Sequence, residues 1–309
     1  MREVTVRAAA KINLHLGVGR PREDGFHPLE TLYHAVGLYD DVTVTTADEW
    51  ALELDAASHI DPAGVPLDEG NIVARAATLL AELHDVPVRA RVRIHKGIPV
   101  AGGMAGGSAD AGAALVALDR LWDLQTSDDD LLRLAAELGS DVPFALIGGN
   151  AVGIGRGELV RPVDIDPLDP HDLVFWWVLV PSREGLSTPA VYRRFDELFP
   201  DTPARPASAR RAVAGLNTGS AELLALALHN DLEPAALDLR PDLTHVLDRG
   251  QAEGALRGMV SGSGPTCAFL CESADAAREL ASGMQGAGHD VVLVANGAVP
   301  GAHVVEYAG

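Results

Sequence analysis

The chain has 309 residues, 47% of them apolar, and a formal net charge of −20 at neutral pH. That length suits two domains of ordinary size, and the acidic balance excludes a nucleic-acid surface, because phosphate backbones demand a basic footprint. The longest uninterrupted apolar run, Leu173 to Val180, is far short of the ~20 residues that cross a bilayer, so no membrane span is expected.

At the N-terminus Val4 and Val6 alternate with Glu3 and Arg7. This predicts a first strand and lacks the apolar block of a secretory signal, so a cytoplasmic protein is expected. Arg89 to Val100 reads as a half-buried strand, with Val92, Ile94 and Ile98 set against Arg91, Arg93 and Lys96. A loop containing Gly102, Gly103, Gly106 and Gly107 follows at once. After it Ala111, Ala114, Leu115, Leu118, Leu121 and Trp122 recur at spacings of three and four, the stripe of an amphipathic helix. The order is strand, glycine loop, helix.

A second helix is predicted from Asp128 to Leu138, opened by three aspartates that suit a positive helix end and closed by Gly139 as C-cap. In GSDVPFAL, Asp141 precedes Pro143 by two residues, the pattern of a capped helix start. A Pro- and Asp-rich connection follows Pro162 and divides the chain into residues 1–165 and 166–309. The second part holds the apolar strand Leu173 to Val180, a Pro- and Arg-rich surface stretch (Pro200 to Arg211), helices around Ala221 to Leu228 and Pro234 to Leu239, and a second glycine turn in VSGSGPTCAFL. On a strand, Cys267 and Cys271 would lie about 13 Å apart, beyond the ~7 Å reach of a disulfide, and read as buried thiols. No histidine pair stands at metal-ligand spacing.

A glycine loop feeding a helix N-terminus aims backbone N–H groups and the positive end of the helix dipole at one point, a site for phosphate. A Walker A pattern laid over Gly102 to Ser108 fails, because Ser108 stands where the lysine belongs, and the spacing is not GxGxxG. Lysine is scarce: the chain has only Lys11 and Lys96, against 22 arginines. Two retained ammonium groups mark places that want a compact flexible cation, although chance is an equal reading for Lys96.

PVAGGMAGGSADA resembles the phosphate loop of the GHMP kinases, named for galactokinase, homoserine kinase, mevalonate kinase and phosphomevalonate kinase. AKINLHLGVGRPREDGFHPLET (Ala10 to Thr31) and VSGSGPTCAFL (Val260 to Leu270) resemble the first and third motifs of that superfamily. The first motif is similar to that of the kinases that use ATP to phosphorylate the 2-hydroxyl of 4-diphosphocytidyl-2-C-methyl-D-erythritol in the non-mevalonate isoprenoid pathway, and GSDVPF resembles their aspartate motif. The resemblance covers most of the chain in the same order. It implies an α/β (α+β) two-domain fold, with an N-terminal domain of the ribosomal protein S5 domain 2 type, a C-terminal ferredoxin-like domain and an active site between them.

The resemblance further implies ATP and Mg²⁺ as cofactors, Asp141 as general base and Lys11 as its charge partner. Pro99, Val100, Ala101, Gly102, Gly103, Met104, Ala105, Gly106, Gly107, Ser108 and Ala109 would wrap the triphosphate, with the Ser108 hydroxyl toward phosphate or metal and Lys96 near the nucleotide. Asn13, Phe26, His27 and Tyr192 would take the substrate, Phe26 and Tyr192 as the two faces of a cytosine sandwich. Several positions keep a plainer reading: Asp141 as an N-cap, Asp110 as a first-turn charge, Tyr192 as a helix-face residue, Gly262 and Gly264 as a tight turn. Phe26 stands where tyrosine is usual, Ala105 where leucine is frequent, and Gly112 where alanine is frequent. The partner is a small molecule, and the chain is expected to act as a monomer or weak homodimer. A kinase for homoserine or mevalonate, and a catalytically dead nucleotide-binding regulator, are the alternatives; the first gives no reason for Phe26, His27 and Tyr192, the second none for Lys11 and Asp141.

Overall fold

The computed structural model describes residues 2–100, 102–165 and 174–308. The first part of the chain runs β1 (Glu3–Val18), β2 (Leu29–Thr45), β3 (Ala51–Ala56), α1 (Ile72–His84), β4 (Arg91–Lys96), α2 (Gly106–Trp122), α3 (Asp128–Leu138), α4 (Val142–Ile147), β5 (Asn150–Gly155) and β6 (Leu159–Pro162). The second runs β7 (Phe175–Val180), α5 (Thr188–Leu198), α6 (Arg210–Asn217), α7 (Ala221–Ala225), β8 (His229–Asn230), α8 (Glu233–Leu239), α9 (Asp242–Ala252), β9 (Arg257–Val260), β10 (Cys267–Cys271), α10 (Ala274–Gly286), β11 (Leu293–Gly297) and β12 (His303–Ala308). Most of the Pro- and Asp-rich connection, together with Leu173, lies outside the described residues.

Strands β1 and β2 form a long antiparallel ladder from Glu3↔Thr45 to Val18↔Leu29, with irregularities after Ala9 and after Asn13. Along β1 the even positions Val4, Val6, Ala8, Ala10, Ile12 and Leu14 enter the main apolar core, while Lys11, Asn13 and His15 take the other face. Beneath the ladder lies α2, whose alanines and Gly112 permit close packing. A Cβ on Gly112 would stand 3.1 Å from the Ala145 methyl of α4, which explains glycine at a position that helix propensity disfavours. As expected, α3 spans Asp128–Leu138, with Ser127 Oγ accepting from the Asp130 N–H. Gly139 is its C-cap, yet with φ 174° its backbone is extended rather than left-handed, so the stop does not depend on glycine.

In the second part, strand order β11-β7-β10-β9 with every neighbour antiparallel is the order of a βαββαβ ferredoxin-like unit. Helices α9 and α10 contribute Leu247, Leu280 and Met284 to a core that includes Phe269, Cys267 and Cys271. The two thiols are free, and burial pushes both up to about 12. One pair, Gly297↔Val36, joins this sheet to β2, and β12 returns to pair with β1.

The seam carries a buried histidine. His34 on β2 donates from Nδ1 to Asn150 Oδ1 at 2.7 Å, and its Nε2 accepts from Trp177 Nε1 of β7 at 3.2 Å. Indole N–H only donates, so the ring is held neutral with its proton on Nδ1. Burial pushes His34 down to about 4, against which the Asn150 bond acts only in part. Between about pH 4 and the ordinary ~6.5 the unfolded chain therefore binds the proton that the folded chain refuses, and stability falls as pH falls. The loss approaches a limit on the order of 3 kcal/mol at pH 4. Urea midpoints at pH 7, 6, 5 and 4 check this, and His34→Gln is expected to flatten the slope in that window.

Candidate active site

A cavity of about 990 Å³ lies where the β1–β2 ladder, the glycine loop, α5 and the β9–β10 turn meet. Lys11 and Asn13, two residues apart on β1, share the face opposite the core and so reach the cavity together. Lys11 Nζ donates to Asn13 Oδ1 at 2.8 Å and stands 3.5 Å from Asp141 Oδ2. Asn13 in turn donates to Thr31 Oγ1 at 2.7 Å, and Thr31 donates to the His15 carbonyl. The lysine is thus tethered from below by a fully bonded chain of polar groups.

Asp141 precedes α4, but its side chain makes no capping bond. Its Oδ1 accepts from the Tyr33 hydroxyl at 2.9 Å instead. Tyr33 is buried and stacked on Phe144. Burial, reinforced by the Asp141 charge, pushes its phenol well above the ordinary value, so it stays a donor. Of the two readings open for Asp141 in the sequence, the side-chain cap is absent, and the carboxylate lines the cavity between a phenol and an ammonium.

The glycine loop forms the opposite wall. Pro99, Val100 and Gly102 to Ser108 line the cavity, whereas Ala109 is packed in the core of α2; Ala101 lies outside the described residues. Ala105, at φ 60°, precedes α2 and no side chain caps that end, so the first N–H groups of a 17-residue helix open into the cavity. The third motif supports the loop from behind. The Thr266 hydroxyl donates to the Gly102 carbonyl, and Gly103, at φ +77°, packs so closely that a Cβ there would meet the Gly264 carbonyl oxygen at 2.5 Å. A Cβ on Gly262 would stand 3.1 Å from Asn13 Oδ1. These glycines form a turn and also bring three motifs to close approach.

Lys96 differs from its expected placement. It shares parity with Val92 and Ile94 and therefore faces inward with them, not outward with Arg91 and Arg93. Its ammonium donates to Asp40 and, at 2.7 Å, to Asp110. Burial opposes its charge, but Asp110 and Asp40 outweigh burial and raise Lys96. Burial and the neighbouring Asp40 push Asp110 well above the usual carboxylate range. Asp40 also accepts from the Gly97 and Ile98 N–H groups, which pins the chain entering the loop. Asp110 is therefore more than a first-turn charge: it lies beneath the loop with Oδ1 unpartnered.

At the far end, His27 lies against Tyr192, ring centroids 4.8 Å apart, and its Nε2 is 2.9 Å from Asp196 Oδ1. Phe26 is half exposed, and the Arg156 guanidinium lies 5.1 Å from its ring centroid. Phe26, His27 and Tyr192 all line the cavity, together with Arg156, Arg193 and Asp196. Sequence reasoning missed Tyr33, Asp196, Arg156 and Asp40, the carboxylate that shares Lys96 with Asp110. Tyr33 could have been found from the hairpin, since it stands opposite Asn13, but only once the register is known.

Among the described residues no group of three or more His, Cys, Asp or Glu side chains is placed to hold a metal, and no helix is long and apolar enough to cross a membrane. Residues 71–149 match the family model for the GHMP kinases N-terminal domain, and residues 212–290 match the model for the GHMP kinases C-terminal domain. A 4-diphosphocytidyl-2-C-methyl-D-erythritol kinase of a Nocardioides species is 61% identical, over 98% of this chain and all of that one. The protein of that name from Thermobifida fusca is 51% identical over 98% of both chains. The crystal structure of a 4-(cytidine 5′-diphospho)-2C-methyl-D-erythritol kinase superposes with a TM-score of 0.75 at 30% identity, covering 94% of this chain and 98% of that one. A homoserine kinase from Cytophaga hutchinsonii, at 21% identity and a TM-score of 0.71, shares the fold. A kinase fold with the glycine loop, Lys11 and Asp141 around one cavity, and full-length likeness at this level, place the chain in the GHMP kinase superfamily, within the family of 4-diphosphocytidyl-2-C-methyl-D-erythritol kinases.

Proposed function

We propose that this chain transfers the γ-phosphoryl group of ATP to the 2-hydroxyl of 4-diphosphocytidyl-2-C-methyl-D-erythritol, with Asp141 as general base. The observation that carries this reading is the Asp141 carboxylate, free of capping duty and held between Tyr33 and Lys11 in the cavity that the glycine loop lines. An alcohol is a weak nucleophile, so a carboxylate that accepts its proton as the new P–O bond forms lowers the barrier. The Tyr33 hydroxyl and Lys11 ammonium hold the carboxylate in place. Lys11 also faces the negative charge that develops on the transferring phosphoryl group.

The open N-terminus of α2 and the backbone from Pro99 to Ser108 receive the triphosphate. Mg²⁺ usually binds nucleotide kinases through one or two protein oxygens and the phosphates. Ser108, on the first turn of α2 at the cavity, and the unpartnered Asp110 Oδ1 fit so sparse a donor set. Ser108 would hold the ion together with phosphate oxygens, and the ion would supply neutralising charge there. Lys96, committed to two carboxylates, supports the loop from beneath and lines the same cavity. Phe26 and Tyr192 flank the base, His27 meets its edge, and Arg156 and Arg193 supply positive charge for the diphosphate. The division near residue 165 separates a nucleotide-binding part from a part that brings Tyr192 and the third motif. The chain acts in the cytoplasm as a monomer or weak homodimer.

ADP release should appear with the cytidyl substrate and not with homoserine or mevalonate assayed in parallel; turnover with another alcohol alone would refute the cytosine site. Asp141→Asn is expected to leave ATP binding nearly intact and to lower kcat by roughly 10²–10⁴-fold, read by ADP release and nucleotide titration. Gly103→Ala should raise the ATP KM by about tenfold or more with unchanged circular dichroism, because its Cβ has no space against the Gly264 carbonyl.

A further inference from the structure

One face of α5 encloses His27. Tyr192 lies tilted 34° against the imidazole, Phe195 meets it edge-on at 6.3 Å, and Asp196 Oδ1 takes its Nε2 at 2.9 Å. Tyr192 and Asp196 stand four residues apart, so they project from adjacent turns onto the same ring. The ring is therefore fixed in plane by packing and in rotation by one hydrogen bond. A carboxylate only accepts, so the bonded nitrogen carries the proton, and in the neutral imidazole Nε2–H is the tautomer held. The opposite nitrogen, Nδ1, has no partner among the described residues, yet it is not sealed in, and the residue lines the cavity. It presents a lone pair to whatever occupies that end.

We propose that Asp196 is a positioning residue that sets base selection: by holding His27 as the Nε2–H tautomer, it leaves Nδ1 an acceptor for the exocyclic amine of cytosine. The inference rests on the cytidyl reading of this cavity. Uracil carries a carbonyl oxygen where cytosine carries its amine, and would set lone pair against lone pair. A site built to hydrogen-bond one group rejects an analogue that leaves its polar atom unpaired.

The test is calorimetric titration of the purified full chain, and of Asp196→Ala and Asp196→Asn, with cytidine 5′-diphosphate and with uridine 5′-diphosphate. A non-hydrolysable ATP analogue is titrated alongside to report the nucleotide side. The wild-type chain is expected to prefer the cytidine compound by roughly 10- to 100-fold. In Asp196→Ala that preference should fall to within about twofold while the ATP analogue binds as before, and Asp196→Asn, which keeps an oxygen acceptor, should retain part of it. A purely structural role would weaken both pyrimidines together and leave their ratio unchanged. If the wild-type chain prefers cytidine and a folded Asp196→Ala retains the full ratio, the assignment to Asp196 is overturned. If the wild-type chain binds both equally or neither, the cytidyl reading fails and takes this inference with it.

Discussion

The β1–β2 ladder is the constraint from which the rest of the molecule follows. Its backbone groups need partners along 16 and 17 residues, and the chain supplies them in pieces: β12 and β8 on β1, β4, β5 and β11 on β2. Because side chains alternate along β1, the register that buries Val4, Val6, Ile12 and Leu14 also sends Lys11 and Asn13 to the opposite face. The core and the site are thus two faces of one alternation. Tyr33 reaches Asp141 for the same reason, as the cross-strand neighbour of Asn13.

A protein of charge −20 that handles anions must gather cations locally, and both of its lysines are spent at the cavity. They are treated differently. Lys11 touches one carboxylate at 3.5 Å and an amide, and keeps free capacity toward the cavity. Lys96 lies between Asp40 and Asp110, where its ammonium offsets two buried carboxylates beneath the loop. Removing one member of such a buried set leaves a charge without compensation, so the three act as a unit.

Much of this was legible in the residues. The helix after the glycine loop, the span of α3 and the inward face of β1 follow from spacing alone, and the motifs pointed to Lys11, Asp141 and the family. What was not legible depends on contacts distant in sequence. Lys96 reads as a surface residue by type, although the parity it shares with Val92 and Ile94 marks it as inward, and only Asp40 and Asp110 make that burial tolerable. Asp141 carries every local sign of an N-cap, and only Tyr33, 108 residues away, shows that its carboxylate turns elsewhere. Gly139 invites a left-handed cap that the chain does not use. Asp196 is an ordinary helix acid until α5 is seen against His27.

The glycine loop is not an independent flap. Gly102 is bonded to Thr266, Gly103 is packed on Gly264, and the same turn reaches Asn13 through Gly262. The loop on one side of the cavity is therefore packed directly on the turn that forms the other side. The phosphate loop and the turn that meets Asn13 share one set of contacts, and a side chain added to any of these glycines would disturb both sides of the cavity at once.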